Sequence, residues 1–187
     1  WIITNKMGKP GYTRLPLNEE KCALAKHSSL RVHFKNTYET ANCLKGMTVK
    51  RARRFLYNVI HQKEPVPFRV YTGGPSHHAQ LTNTYKHGAG IAWPKKSASY
   101  LLDVVQNLAA NAEQKGLSVG NCVIWNVEVH RARKVRRRTF RAHGRINPFV
   151  GHPCHVQMVL KEKRHRVNKN GSRNKKKVKS LKSGSTA

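Results

Sequence analysis

Residues 131–145 have the sequence RARKVRRRTFRAHGR, in which eight of fifteen residues are Lys or Arg and none is Asp or Glu. The segment is poor in apolar side chains, so it cannot bury itself in a core of its own. Strand-like runs of alternating residues flank it on both sides, at 123–130 and 155–160. Because two such runs can pair, the sequence predicts a hairpin extension, over about 122–162, rather than a tail.

The expected reach of this hairpin indicates what it contacts. At about 3.3 Å per strand residue, the roughly 17 residues from Cys122 to Thr139 would span about 55 Å, more than a small domain needs. Arginine offers planar donors to phosphate and can stack on bases, and Phe140 adds one stacking surface. We therefore predict that the hairpin threads between RNA helices. A solvated or disordered basic loop is the alternative.

The charge of the whole chain favours the same class of partner. Lys and Arg total 37 against 8 acids in 187 residues, which gives a net charge of +29. A charge of this size repels itself in a compact state, and a phosphate backbone is its commonest counterpart. An anionic membrane is the alternative, but Arg131–Arg145 and Lys161–Lys182 lack the amphipathic pattern of membrane-surface helices. A membrane-spanning run of about 18 apolar residues is also missing.

Two further basic clusters are weaker candidates for RNA contact. One lies on a helix whose apolar residues face the other way, although basic solvent faces are common on helices. It consists of Lys50, Arg51, Arg53 and Arg54. The other, in the tail, contains Arg173, Lys175, Lys176, Lys177 and Lys179. The tail cluster suits phosphate contact and also a nuclear-import signal, and the two roles are compatible.

The hydrophobic pattern predicts an α+β fold, with three helices packed on a three-stranded antiparallel sheet. The first helix is expected from Thr37 to about Lys45, with Gly46 at its C-terminal end. The second is expected to follow an N-cap at Thr48. The third is expected from Pro94 or Ser97 to about Lys115, with Gly116 at its C-terminal end. The strands are expected near 30–35, 122–131 and 153–162. Alternation places Val123, Trp125, Val127 and Val129 on one face of the second strand.

The expected organisation is an extended N-terminal arm (1–28), a globular RNA-binding domain (29–162) and a basic, flexible tail (163–187). The connection over 61–95 is unusually long for a compact domain, which is easier to accept if it lies on another molecule. Met7 is a candidate start of the natural chain. The four cysteines form no C-x-x-C pair, so reduced thiols in an intracellular protein are favoured.

Catalytic and metal-binding patterns are weak. The eight acids are scattered, so no acid–base pair or nucleophile pattern is visible, and no cofactor is expected. The best metal candidate is His152-x-Cys154-His155, but a structural zinc site needs about four ligands, and no second cluster exists.

A nuclear DNA-binding protein is a second hypothesis for the function, though it would need a recognition helix, a zinc finger or a dimerising zipper. An RNA-directed enzyme is a third.

Several segments carry a family resemblance: LRVHFKNTYETANCLKGM (30–47), VPFRVYTGG (66–74), WPKKSASYLL (93–102), NAEQKGL (111–117) and VRRRTFRAHGRINPF (135–149). Over roughly 28–162 the chain resembles the large-subunit ribosomal proteins called L-twenty-two in bacteria and L-seventeen in eukaryotes. The segment RAHGRINP (141–148) resembles the sequences of the eukaryotic and archaeal branch. The arm through Ser28, the loop over 76–92 and the tail after Lys163 depart from the familiar pattern.

The resemblance implies a non-enzymatic constituent of the cytosolic large subunit, which passes through the nucleus and nucleolus for assembly. The implied partners are large-subunit ribosomal RNA, neighbouring ribosomal proteins and the nascent polypeptide, with no membrane and no second copy of the chain. The implied tip of the hairpin lines the peptide exit tunnel and comprises Arg136, Arg137, Arg138, Thr139, Phe140 and Arg141. The residues implied to hold the two arms on RNA are Arg131, Arg133, Lys134, His143 and Arg145.

Overall fold

A computed structural model describes residues 11–16, 21–78 and 90–163. The elements follow in chain order as β1 (Cys22–Leu30), α1 (Phe34–Leu44), α2 (Val49–Ile60), β2 (Val66–Phe68), β3 (Gly90–Ala92), α3 (Lys95–Gln114), β4 (Cys122–Arg131), β5 (Val135–Phe140), β6 (Ile146–Gly151) and β7 (Cys154–Glu162). The main sheet is antiparallel in the order β1-β7-β4, while β2 pairs with β3 and β5 pairs with β6. The expected α+β fold is confirmed.

The core lies between the three helices and the main sheet. Helix α2 contributes the apolar stripe that its spacing predicted, with Phe55, Leu56 and Val59 fully buried. Helix α3 adds Leu101 and Leu108, which pack in the same cluster. The predicted caps are also present, because the Thr48 hydroxyl accepts a hydrogen bond from the Arg51 amide and Gly116 has a φ of +69°. None of the described helices is long and apolar enough to cross a membrane.

The predicted strand at 30–35 is wrong, because the edge strand β1 lies upstream at Cys22–Leu30 and helix α1 begins at Phe34. Leu30 and Val32 are both buried, as their period-two spacing suggested. They flank a tight turn, however, in which the Val32 amide donates to the Leu30 carbonyl at 2.8 Å. Helix α1 also starts before Thr37, whose amide already bonds to the His33 carbonyl inside the helix.

The segment expected as a free arm contributes to the sheet. Residues 22–27 pair with β7, so this part of the 1–28 arm belongs to the fold. Helix α3 holds the strand in place, since Asn111 donates its side-chain amide to the Leu24 carbonyl and Lys115 donates to the Cys22 carbonyl. Sequence reasoning missed the strand because its own alternation is weak, with four consecutive exposed residues at 26–29.

The central strand β7 is covered on both faces. Its residues Val156–Leu160 are all buried, including the polar Gln157, which is 8% exposed. The Gln157 side-chain amide donates to the Gly11 carbonyl at 3.1 Å, so the segment at 11–16 lies across the face away from the helices. Burial raises the pKa of Glu128 on the neighbouring strand, but hydrogen bonds from Asn126, Thr13 and His130 outweigh this effect and lower it overall.

Strand β4 departs from the simple alternation that the sequence suggested. Its register with β7 shifts between Ile124 and Asn126, so Trp125 is a bulge residue and is 41% exposed. The bulge exchanges the two faces of the strand. Cys122 and Ile124 therefore face the core before the bulge, and Val127 faces it afterwards. The predicted face through Val123, Trp125, Val127 and Val129 is correct only beyond the bulge.

The long connection at 61–95 is partly ordered by a buried carboxylate. Within it, β2 and β3 form a short ladder. The Glu39 side chain from α1 is 2% exposed and accepts hydrogen bonds from the backbone amides of Arg69, Val70 and Tyr71 at 3.2, 2.9 and 2.8 Å. These hydrogen bonds satisfy both oxygens of the buried carboxyl group, which would be costly to bury without partners. Residues 79–89 of the connection lie outside the described part of the chain.

Candidate nucleic-acid interface

The basic hairpin emerges from the main sheet as a separate two-stranded ribbon, formed by β5 and β6. Pairing in the main sheet ends at Arg131 opposite Cys154 and resumes in the ribbon at Val135 opposite Gly151. Between them, Ala132–Lys134 lie opposite His152 and Pro153, so one strand carries an extra residue. The Ala132 amide still donates to the Pro153 carbonyl at 3.0 Å. The hairpin arm from Cys122 to Thr139 is therefore interrupted at this junction, and its first strand ends at Arg131 as expected.

The chain turns beyond most of the residues assigned to the tip. A short 3₁₀ turn occupies Ala142–Gly144, and the Arg141 amide donates to the Arg145 carbonyl at 2.8 Å. His143 and Gly144 both have positive φ, of 59° and 66°. Arg136, Arg137 and Arg138 lie further back along β5, whereas Phe140 and Arg141 adjoin the turn. His143 and Arg145 are in the turn region itself rather than on the arms.

Each face of the ribbon combines guanidinium groups with apolar side chains. Residues paired across the two strands have their side chains on the same face of the ribbon. Arg137 is paired with Phe149, and the Arg137 guanidinium carbon is 5.6 Å from the centre of the Phe149 ring. The opposite face carries Arg136 and Arg138 with the apolar end pair Phe140 and Ile146. Both faces can therefore offer charge to phosphate and flat apolar surface to bases or sugars.

This apolar surface is not covered by the described part of the chain. Phe140 is 78% exposed and Phe149 is 61% exposed, and Ile146 and Val135 are about half exposed. An isolated two-stranded hairpin is marginally stable in water. Large exposed aromatic rings on such an element indicate a surface that another molecule covers. Sequence reasoning included Phe140 but missed Phe149, which only the register of the ribbon identifies.

A cavity of about 520 Å³ opens at the base of the ribbon, where α1 begins. Its lining residues are His33, Phe34, Lys35, Asn36, Arg131, Ala132, Lys134, His152 and Pro153. The Arg131 guanidinium carbon lies 5.0 Å from the centre of the Phe34 ring, and the Phe34 amide donates to the His152 carbonyl at 3.1 Å. Of the predicted contact residues, Arg131 and Lys134 meet here, whereas Arg133 does not line the cavity.

The basic cluster on α2 is exposed, but one member has an internal partner. Lys50, Arg53 and Arg54 lie on the solvent side of the helix, as predicted. Arg51 is also exposed, yet both of its terminal nitrogens bond to the Glu64 carboxylate. Burial alone would raise the pKa of Glu64, but hydrogen bonds from Arg51 and Asn58 and the Arg51 charge hold it below its ordinary value. This pairing leaves Arg51 less available to phosphate than its neighbours.

The remaining candidates are divided between described and undescribed residues. Lys175, Lys176 and Lys177 lie outside the described residues, as does Met7. In the His152-x-Cys154-His155 motif, Cys154 is buried, and burial raises the pKa of its thiol. The His155 ring accepts a hydrogen bond from the Ser29 amide at 3.0 Å. Among the described residues, no three His, Cys, Asp or Glu side chains form a group that could hold a metal.

Comparisons with known proteins agree with the resemblance. The family model described as ribosomal protein L22p/L17e matches residues 25–161. The large ribosomal subunit protein uL22 of Caenorhabditis elegans is 50% identical over 163 residues, which cover 87% of this chain and 86% of the relative. The corresponding protein of Theileria parva is 48% identical over 90% of this chain and 89% of its own length. That of Zea mays is 46% identical over 84% of this chain and 92% of its own length. The match at 25–161 includes the three described helices, the ribbon and all but the outermost residues of the main sheet, and the chain belongs to the ribosomal protein L22p/L17e family.

Proposed function

We propose that this chain is a structural constituent of the large ribosomal subunit that binds and organises ribosomal RNA, with its ribbon lining the nascent-peptide exit tunnel. The ribbon is the observation that carries the proposal. It has exposed arginines on both faces and exposed aromatic rings, and the whole of 131–153 contains no acid. Such a surface needs a polyanion that also offers flat apolar groups, and RNA offers both.

The family supports a structural rather than a catalytic role. The relatives are named as proteins of the large ribosomal subunit, and this family is not enzymatic. A ribosomal location follows for this chain, with passage through the nucleolus during assembly as part of the proposal. The folded core would anchor the protein on RNA and on neighbouring ribosomal proteins, while Lys50, Arg53 and Arg54 on α2 add a second basic surface.

The proposed tunnel contact is assigned to the turn end of the ribbon. Phe140 and Arg141 adjoin the turn, and Ala142–Gly144 form it. Arg136, Arg137 and Arg138 would instead line the ribbon where it runs between RNA helices. This assignment moves the tunnel surface a few residues beyond the segment that the family resemblance implied.

Sedimentation tests the ribosomal role. A lysate is washed in about 0.5 M salt, which strips weakly held electrostatic partners because affinity for nucleic acid falls steeply with salt. After centrifugation through a sucrose gradient, the chain should remain with large subunits and translating ribosomes. Recovery at the top of the gradient or with chromatin would contradict the proposal and favour a nuclear nucleic-acid-binding role.

A single engineered thiol tests the tunnel contact. Ala142→Cys should cross-link to a nascent chain in stalled ribosomes treated with a short thiol-directed reagent, whereas Ser99→Cys on α3 should not. The four native thiols should give little background. Cys22 is buried, and burial raises the pKa of Cys43 to about 11 and also raises those of Cys122 and Cys154. Equal labelling of nascent chains by the two variants would contradict the assignment of the turn.

A further inference from the structure

The cavity at the base of the ribbon combines a large volume with a largely apolar lining. About 520 Å³ falls within the roughly 300–1,000 Å³ of typical small-ligand sites. Part of its wall is apolar and comes from Phe34, Ala132 and Pro153. A flat group inserted there would be removed from water and would contact apolar side chains on several sides.

The wall of the cavity contains a stacking platform. The Arg131 guanidinium lies over the Phe34 ring. Two tyrosine rings pack against the Phe34 ring, since the Tyr71 ring meets it edge-on at 6.1 Å and the Tyr38 ring lies 6.0 Å away. Glu39 fixes the Tyr71 backbone through the 2.8 Å hydrogen bond from its amide. A platform held in this way loses little freedom when a ligand stacks on it.

The rim of the cavity selects for an anion. Lys35, Arg131 and Lys134 line it, together with two histidines, and none of its nine lining residues is acidic. The Asn36 side chain adds an amide that can both donate and accept hydrogen bonds. An apolar slot, a stacking platform and a basic rim match the base and the phosphate of one nucleotide.

We propose that this cavity binds a single nucleotide extruded from an RNA helix, with its base stacked on the Arg131–Phe34 platform and its phosphate on the basic rim. The inference rests on the proposed RNA-binding function and adds a specific site to it. Position supports it as well, because the cavity lies where the ribbon leaves the core. A nucleotide held there fixes both parts of the protein on one RNA segment.

Two variants test the site in opposite ways. Phe34→Leu keeps an apolar side chain but removes the ring, and Ala132→Phe fills the cavity while keeping the backbone hydrogen bond to Pro153. Tyr100→Leu is the matched control, because Tyr100 is a half-buried ring packed against the core on α3, away from the cavity. Affinity of each full-length chain for purified large-subunit ribosomal RNA is measured across a series of salt concentrations, with thermal unfolding as a check of the fold.

Both cavity variants should bind RNA roughly 5- to 100-fold more weakly than the wild type, as expected for the removal of one base stack. Phe34→Leu should leave the dependence of affinity on salt unchanged, since it removes no phosphate-binding side chain. Ala132→Phe expels the whole nucleotide, so it should lower the logarithmic salt slope by about 0.7–0.9, the value for one phosphate. Tyr100→Leu should bind as the wild type does. Wild-type affinity in either cavity variant, or a lowered salt dependence in Phe34→Leu, would overturn the site while leaving general RNA binding intact. Failure of the wild-type chain itself to bind the RNA would instead overturn the proposed function.

Discussion

The core and the ribbon both contain large apolar side chains, but the core buries them and the ribbon leaves them exposed. In the core, Phe55 is 1% exposed and packs among the apolar side chains of the helices and the sheet. In the ribbon, Phe140 is 78% exposed and lies among arginines. The core therefore buries its own hydrophobic surface, whereas the ribbon leaves large apolar side chains exposed in the described part of the chain. Because an isolated two-stranded ribbon is marginally stable in water, we expect a bound partner to stabilise the ribbon more than the core.

Truncating one phenylalanine in each region gives the largest expected contrast. Phe55→Ala should lower the free energy of unfolding by about 3–5 kcal/mol, because it leaves a cavity in a packed core. Phe140→Ala should change it by no more than about 0.5 kcal/mol, as at other exposed positions. Urea denaturation of the free protein, followed by circular dichroism, measures both. A loss of several kcal/mol for Phe140→Ala would mean that the ribbon is part of the cooperative core.

The buried carboxylate of Glu39 should give the next largest effect. Glu39→Ala leaves the amides of Arg69, Val70 and Tyr71 without their acceptor, at an expected cost of about 2–3 kcal/mol. Hydrogen exchange at Val70 and Tyr71 should accelerate, while exchange in the ribbon should not change. Glu39→Gln is the control, because it keeps one acceptor oxygen and should lose less. Unchanged exchange at both amides in Glu39→Ala would contradict the role of the carboxylate.

Acid pH should lower the stability of the folded core by a smaller amount. The pKa of Glu64 is lowered in the folded state, so its ion pair with Arg51 stabilises the protein above the ordinary value of 4.5. That contribution, at most about 1 kcal/mol for a partly exposed pair, is lost as pH falls through the folded pKa. Denaturation of Glu64→Gln should therefore show a smaller loss of stability than the wild type as the pH falls below about 4.5. The same acid sensitivity in both proteins would assign the loss to other carboxyl groups.

Removing arginines from the ribbon should have the smallest effect on stability and a clear effect on RNA. Replacing Arg136, Arg137 and Arg138 with Ala should leave the free energy of unfolding within about 0.5 kcal/mol of the wild type. Affinity for ribosomal RNA should fall, and its logarithmic salt slope should decrease by about 0.7–0.9 for each phosphate that the protein no longer neutralises. Replacement of the three by Lys keeps the charge and should preserve the slope. An unchanged slope in the Ala variant would argue against phosphate binding by these residues.

The sequence predicted the elements whose signals are local. The stripe of α2, the cap at Thr48 and the glycine after α3 depend on neighbouring residues, and all three are confirmed. Period-two spacing was misleading at Leu30 and Val32, because a tight turn can bury alternate residues as well as a strand can. The bulge at Trp125 likewise depends on the partner strand, so the alternation of β4 alone gave the wrong face.

The candidate site shows the same division between local and long-range signals. The charge of 131–145 identified the basic hairpin, since composition needs no knowledge of the fold. The cavity at its base could not be predicted, because Phe34 and Arg131 are far apart in the sequence and meet only through the pairing of β4 with β7. The turn at Ala142–Gly144 depends on the ribbon register, which also places Arg136–Arg138 away from it.

The number of residue pairs between β5 and β6 sets the distance from the core to the turn. Each pair of facing residues sets the turn about 3.3 Å further from the core. Deleting one pair would shorten the reach and also exchange the two faces, so that every arginine beyond the deletion would point the opposite way. Deleting two adjacent pairs would withdraw the turn by about 7 Å and restore the original faces. Viable length variants of this ribbon should therefore differ in steps of four residues, with two removed from each strand.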